Sequence, residues 1–182
     1  MIDGKRVRLR AVERGDLPKF QEWLNDPEVT EGLANDLPLS VEDEERWFAG
    51  ITSDPHEERP LSIEIRTDGG WKLAGNTRLF HLKWIDRNAE FGIMIGDKGL
   101  WDQGYGTEVL ELMLEHAFEA LNLHRIFLRV FASNLRARRS YEKAGFTVEG
   151  TLRQAIFRRG RYIDVLIMSI LQPEWKERRE AK

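Results

Sequence analysis

No cysteine occurs among the 182 residues, which excludes a disulfide framework, a thiolate metal site and a cysteine nucleophile. No apolar run approaches the roughly 18–20 residues that a membrane-spanning helix requires. The opening MIDGKRVRLR lacks the apolar stretch of a signal peptide. A cytoplasmic location without a membrane partner is therefore the expectation. There is no basic surplus either: 28 Lys and Arg against 31 Asp and Glu leave a formal net charge of −3, the wrong sign for a general binder of nucleic acid. The four histidines, at positions 56, 81, 116 and 124, show no ligand spacing, so no metal is expected; His116 and His124 read as structural. No repeat, low-complexity tract or Pro/Ser-rich linker breaks the chain, and one domain over residues 1–182 is the simplest account.

The charges that are present segregate. Acids crowd the first third, as in Glu42-Asp43-Glu44-Glu45 and Glu57-Glu58, and bases the last, as in Arg136, Arg138, Arg139, Arg158, Arg159 and Arg161. Two solvated faces would explain this; so would a cationic ligand meeting the first part and an anionic one the second.

Periodicity predicts a strand at 6–11, then a helix that Asp16 caps ahead of Leu17-Pro18, with Phe20, Trp23 and Leu24 on one face. Ser40 caps a second helix with acids in its first turn. Leu61, Ile63 and Ile65 alternate as a strand, and Asp68-Gly69-Gly70 turns the chain into another that runs towards Leu79. EFGIMIG at 90–96 reads as a strand covered on both faces. Thr107 to Leu121 is an amphipathic helix, 125–131 a buried strand, and Leu135 to Ala144 a short helix between an Asn134 cap and Gly145. Two strands near 147–153 and 163–171 follow, and 176–182 reads as a frayed end. Hairpins combined with one strand–helix–strand crossover predict an α+β fold, a mixed sheet with helices on its faces.

The chemistry concentrates in two segments. In IMIGDKGLWDQGYGT, Gly104 and Gly106 let backbone approach a ligand just where a helix presents unpaired N–H groups, a seat suited to pyrophosphate. A tight turn without a ligand has the same signature. The dinucleotide fingerprint fails because position 109 is Val109, and neither a P-loop nor a G-x-S-x-G elbow is present. About thirty residues on, Asn134 is followed by Tyr141-Glu142-Lys143-Ala144-Gly145-Phe146, with Tyr141 on one helical face with Ala137 and Ala144.

Together, the G-x-G turn before an amphipathic helix and N-x(6)-Y-E-K-A-G-F resemble the acetyl-CoA-binding core of the GNAT superfamily. The closing GTLRQAIFRRGRYIDVLIMSILQPEW and AEFGIMIGD resemble its branch of ribosomal-protein N-terminal and spermidine acetyltransferases. The resemblance implies the GNAT fold, with a mostly antiparallel central sheet flanked by helices on both faces. It implies an N-acetyltransferase that takes the acetyl group from acetyl-CoA to a primary amine, either a small molecule or a protein N-terminus. A non-catalytic acyl-CoA-binding domain is the alternative, and a homodimer is compatible.

For individual residues, the resemblance implies that the strand of Ile93, Met94 and Ile95 splays from its neighbour and binds the cofactor through its backbone. It places Trp101, Asp102, Gln103, Gly104, Tyr105, Gly106 and Thr107 at the pyrophosphate, and Asn134 against the cofactor. Trp101 departs from the family's Gln or Arg, and Gln103 or backbone N–H groups are expected to compensate. Tyr141 aligns with the general acid that protonates the leaving sulfur. Glu90, at the start of the strand, is a candidate base or a surface carboxylate. Arg139 and Lys143 are candidate phosphate contacts or a solvated face, and the basic hairpin at 158–161 is a candidate lining of the acceptor mouth.

Overall fold

Alternation of charged and apolar residues builds the first edge of the sheet. Strand β1 (Ile2–Asp3) is short; β2 (Val7–Ala11) buries Val7 and Leu9 on one face and turns Arg8 and Arg10 to the other. Helix α1 (Leu17–Leu24) carries Pro18 in its first turn and buries Leu17, Phe20 and Trp23. Helix α2 (Val41–Ile51) starts at Ser40, whose hydroxyl accepts from the Asp43 amide at 3.1 Å while the Asp43 carboxylate accepts from the Ser40 amide at 2.8 Å. The Ser40 cap matches the sequence reading, and the reciprocal bond to Asp43 completes it. Strands β3 (Leu61–Thr67), β4 (Gly70–Lys83) and β5 (Asn88–Ile95) form a meander. Helix α3 (Tyr105–Glu115) runs on through a π-helical turn, His116–Ala120, into β6 (Arg125–Phe131). Helix α4 (Leu135–Ala144), strands β7 (Thr147–Arg158) and β8 (Arg161–Leu171), and helix α5 (Gln172–Glu180) complete the order. This computed structural model describes residues 1–34 and 37–181.

All eight strands belong to one sheet, ordered β1-β2-β3-β4-β5-β6-β8-β7. Every neighbouring pair is antiparallel except β5 and β6, which are parallel because α3 carries the chain across. One face of the sheet packs on α3, α4 and α5 through Val109, Leu110, Met113, Leu114, Ala144 and Trp175. The other face packs on α1 and α2, where Leu17, Phe20, Trp23 and Met94 form a second cluster with Trp47 and Phe48. The mixed, mostly antiparallel sheet with helices on both faces is the architecture expected.

Two local expectations are corrected. The segment after 171 is helical up to Glu180: Pro173 starts it, the Glu174 carboxylate accepts from the Leu171 amide at 2.8 Å, and Trp175 is buried against Phe118. Lys182 lies outside the described residues. Asp16 does not cap α1 with its side chain. Its carboxylate instead takes both guanidinium nitrogens of Arg10 at 2.7 and 2.8 Å, the Glu13 amide at 2.9 Å and the Ser62 hydroxyl at 2.7 Å. A buried carboxylate that already accepts from four donors has no lone pair to give to a helix end.

Candidate active site

The parallel pairing of β5 and β6 is brief. Only Asn88–Arg125, Ala89–Ile126 and Glu90–Phe127 are partners, although β5 continues to Ile95 and β6 to Phe131. Beyond Glu90 and Phe127 the strands diverge into a fork, and the edge of β5 from Phe91 to Ile95 that faces β6 pairs with no strand among the described residues. Its other edge stays paired with β4. Backbone groups left open in this way are ready for a ligand with its own amides. Alternation puts Phe91, Ile93 and Ile95 on the α3–α4 face and Gly92 and Met94 on the α1–α2 face.

At the open end of the fork the chain enters α3. Gly104 precedes the helix at φ 83°, a left-handed conformation glycine adopts without cost. A side chain on Gly106 would meet no other atom within 4 Å, so the first turn has an uncovered surface. Arg6, from the far edge of the sheet, reaches this turn. It donates to the Gln103 carbonyl at 3.2 Å, pairs with Glu108 at 2.9 Å and lies over the Tyr105 ring at 4.6 Å. Nothing near Arg6 in the sequence marks it for this place, since Gln103 is 97 positions away.

Two of the expected seat residues are committed elsewhere. The Trp101 indole N–H donates to the Ile95 carbonyl at 2.8 Å, and its ring packs on the α1–α2 cluster with the Arg136 guanidinium 3.4 Å from the centroid. The Gln103 amide, expected to replace the missing charge, donates to the Gly99 carbonyl at 2.6 Å and holds the turn. Asp102 occupies a left-handed position, φ 60°. Thr107, like Gly106, lies in the first turn of α3.

On the other side of the fork, Asn134 caps α4 by accepting from the Ala137 amide at 3.1 Å, and its amide lies against Gly32, where a Cβ would stand 2.3 Å from Nδ2. Arg139 and Lys143 are on the exposed surface of α4. Tyr141 points inward: its ring meets Phe91 edge-on at 6.4 Å and Phe146 at 6.0 Å. Burial pushes its phenol up to about 12, and no hydrogen-bond partner for its hydroxyl is present among the described residues.

Glu90 sits where the fork closes, 4% exposed. It is not a free carboxylate. Arg129 donates to both of its oxygens, at 2.8 and 3.0 Å, and His81 Nδ1 lies 3.1 Å from Oε2. Both of its oxygens are thus engaged by neighbouring side chains. The sequence gives no sign of either partner, because Arg129 comes from β6 and His81 from an irregular stretch of β4.

On the α1–α2 face, a cleft of about 470 Å³ lies between α2 and strands β4 and β5. Its walls are largely apolar, with Leu24, Trp47, Phe80 and Met94, and its polar groups are Asp43, Glu44, Asn76 and Arg78. Gly92 lets the floor close up, since a Cβ there would stand 3.0 Å from the Phe80 ring. Glu44 is 5% exposed and accepts no hydrogen bond among the described residues; burial, then the neighbouring Asp43 charge, push its carboxyl above the ordinary range. Arg78 pairs with Asp54 at 3.3 Å while its Nε is buried without a partner among the described residues. The hairpin arginines Arg158 and Arg159 donate to the carbonyls of Thr30 and Pro27 and line an adjoining cleft of about 380 Å³, which shares Leu24 with this one. No cluster of three or more metal-ligating side chains, and no helix long and apolar enough to cross a membrane, occurs among the described residues.

Known proteins resemble this chain in sequence and fold. The profile of the acetyltransferase (GNAT) domain family matches residues 6–147. Spermidine N(1)-acetyltransferase of Vibrio cholerae is 34% identical over 175 residues, covering 96% of this chain and 98% of that protein. The probable N-acetyltransferase YjcK of Bacillus subtilis is 37% identical over 181 residues, covering 96% and 98%. The crystal structure of the Vibrio cholerae spermidine N-acetyltransferase in complex with CoA and spermine superposes with a TM-score of 0.85 at 31% identity, over 95% of this chain and 99% of that one. A catalytic chain fits these relationships better than a binding domain that has lost turnover. By fold and by kinship, the chain belongs to the GNAT acetyltransferase family and is an N-acetyltransferase.

Proposed function

We propose that residues 1–182 act as a single acetyltransferase domain that moves an acetyl group from acetyl-CoA to a small polycationic amine. The observation that carries this reading is the fork between β5 and β6, with an anion seat at one end and a cleft holding an unpartnered carboxylate beside it. The nucleotide's phosphates would rest on the first turn of α3, with Gly104 and Gly106 as the floor and Arg6, Arg139 and Lys143 as nearby cations. Backbone of Ile93 to Ile95 would accompany the arm that carries the thioester. Tyr141, protonated throughout the neutral range, would give its proton to the departing sulfur.

Gly106 gives a test of the seat that separates binding from folding. Alanine is favoured over glycine within a helix by about 1 kcal/mol, and the added methyl meets no protein atom. Gly106→Ala is therefore expected to keep or raise the melting temperature while raising KM for acetyl-CoA about tenfold, because the methyl stands where phosphate oxygens must approach. Differential scanning fluorimetry with and without acetyl-CoA, beside steady-state kinetics, reads both.

Glu44 supports the polycationic acceptor. An ammonium group entering the cleft meets a desolvated carboxylate, which is worth more than the same contact in water. Because the folded-state pKa is raised, charging this acid costs stability as pH rises above its unfolded value. Glu44→Gln is accordingly expected to melt higher than the parent at pH 7, with the difference vanishing towards pH 4. Its KM for polyamine is expected to rise about tenfold, the loss of one charge-assisted contact. A second reading, acetylation of a peptide N-terminus, draws on the unpartnered Arg78 Nε, which would suit the first carbonyl oxygen of a peptide.

Thiol release from acetyl-CoA, followed against polyamines and against short peptides with free N-termini, decides between them. Turnover of polyamines alone supports the first reading and turnover of peptides alone the second. Turnover of neither removes both acceptor assignments.

A further inference from the structure

The backbone of β4 breaks its pairing with β5 between Phe80 and Lys83, and His81 there adopts φ 54°. A left-handed conformation is uncommon for a residue with a side chain, and the extra residue of a bulge re-aims what it carries. The distortion is held from outside: the Glu58 carboxylate accepts from the His81 amide at 3.2 Å and from the Leu82 amide at 3.0 Å. The result sets the imidazole 3.1 Å from buried Glu90, at the closed end of the fork. A carboxylate can only accept there, so Nδ1 carries the hydrogen and Nε2 keeps its lone pair. Arg129 fixes Glu90 in turn through two bonds. His81 is 64% exposed and 4.9 Å, ring to ring, from Phe80 in the floor of the amine cleft.

We propose that His81 is the base that takes the ammonium proton of the acceptor, with Glu90 and Arg129 as positioning residues that fix its tautomer and direction. The assignment rests on the amine-acetylation reading above. The closed end of the fork is the point farthest from the phosphate seat, about 17 Å of extended chain from Ile95, and hence where the acyl end of the cofactor arrives. Nε2 takes one proton from R–NH3⁺; the freed amine forms a C–N bond to the thioester carbon; the C–S bond breaks, and sulfur leaves with the Tyr141 proton. The nitrogen's second proton restores the phenol, and His81 releases its proton to solvent, giving R–NH–acetyl, CoA thiol and one H⁺. The charged groups against the imidazole are Glu90 from β5, Arg129 from β6 behind it, and Glu58 from the segment before β3, which is bonded to its backbone.

The test is the pH dependence of kcat with saturating acetyl-CoA and whichever amine the parent protein turns over. The parent is expected to show an acidic limb, where the base is lost to protonation. His81→Gln is expected to lose that limb and about 10²-fold in kcat, with KM for acetyl-CoA unchanged. His81→Gly, which also suits the left-handed backbone, is expected to regain part of its kcat with added imidazole; a merely structural histidine would not respond. Glu90→Gln, which keeps the shape but not the charge that fixes the tautomer, is expected to lower kcat and leave acetyl-CoA binding intact. An unchanged acidic limb in His81→Gln, or no rescue of His81→Gly, overturns the assignment while the transferase stands. Absence of turnover by the parent on every amine overturns the assignment together with the reading beneath it.

Discussion

Replacing Tyr141 by Phe is expected to lower kcat about 10²-fold and to leave acetyl-CoA binding unchanged. The ring is held by Phe91 and Phe146, and Phe keeps both contacts. The hydroxyl has no protein partner among the described residues, so removing it breaks no hydrogen bond that the fold needs. What disappears is a proton donor beside the fork. The loss belongs at the lower end of the range for general acids, because thiols ionise near pH 8.5 and a thiolate already departs tolerably well. The phenol is pushed up to about 12 by burial, so the parent enzyme should show no fall in kcat from this group below about pH 10. Stopped-flow or steady-state thiol release measures the rate, and isothermal titration the binding. Full activity in Tyr141→Phe would remove the general-acid role.

The largest loss of stability is expected from Asp16→Ala. Asp16 is 5% exposed and ties β2, β3 and the entry to α1 together through Arg10 and Ser62, while Glu64 accepts from Arg10 at 2.9 Å and also pairs with Arg8. Removing the carboxylate leaves Arg10 half-paired and enclosed, which costs about 3 kcal/mol and lowers the melting temperature by about 6–12 °C. Burial opposes ionisation of Asp16, but hydrogen bonds from Arg10, Glu13 and Ser62 outweigh it and hold the carboxyl below its usual range. A depressed folded-state pKa contributes stability that is present above about pH 4 and is lost as pH falls through the lowered value. The gap between parent and Asp16→Ala in thermal melts should therefore be full at pH 7 and narrow below pH 4. A gap that stays constant down to pH 2 would mean the carboxylate's charge is not what holds this corner.

Elements whose signals are local were legible in the sequence. The Asn134 cap, the following helix and the left-handed Gly145 stand where the spacing put them, as do Ser40 and its helix. The α3 expectation, Thr107 to Leu121, misplaces the start and misses the π-helical turn, because an apolar stripe does not reveal a change in hydrogen-bond register. The closing helix was hidden by its charge, although Pro173 two residues before Trp175 was an available start signal.

At the site, the glycine turn and Tyr141 could be read because each lies within a short motif. The other participants could not. Arg6 meets the turn only because the sheet brings distant strands together. Trp101 and Gln103 are drawn off by carbonyl acceptors that no spacing rule announces. Glu90 was visible as an acid but not as one claimed by Arg129 and His81, and His81 owes its direction to a bulge that only pairing reveals.

The fork also sets how the molecule holds together. Strands β1–β5 and the trio β6, β8 and β7 share a border of three residue pairs, with the Glu90–Arg129 ion pair standing where the border ends. That border is a seam in an otherwise continuous sheet. A cofactor lying along it would act as a stitch, supplying from outside the bonds that the two half-sheets withhold from each other. Each release of CoA would then remove that stitch from the same line, and the resting protein would carry, as a built-in incision, the space its reaction uses.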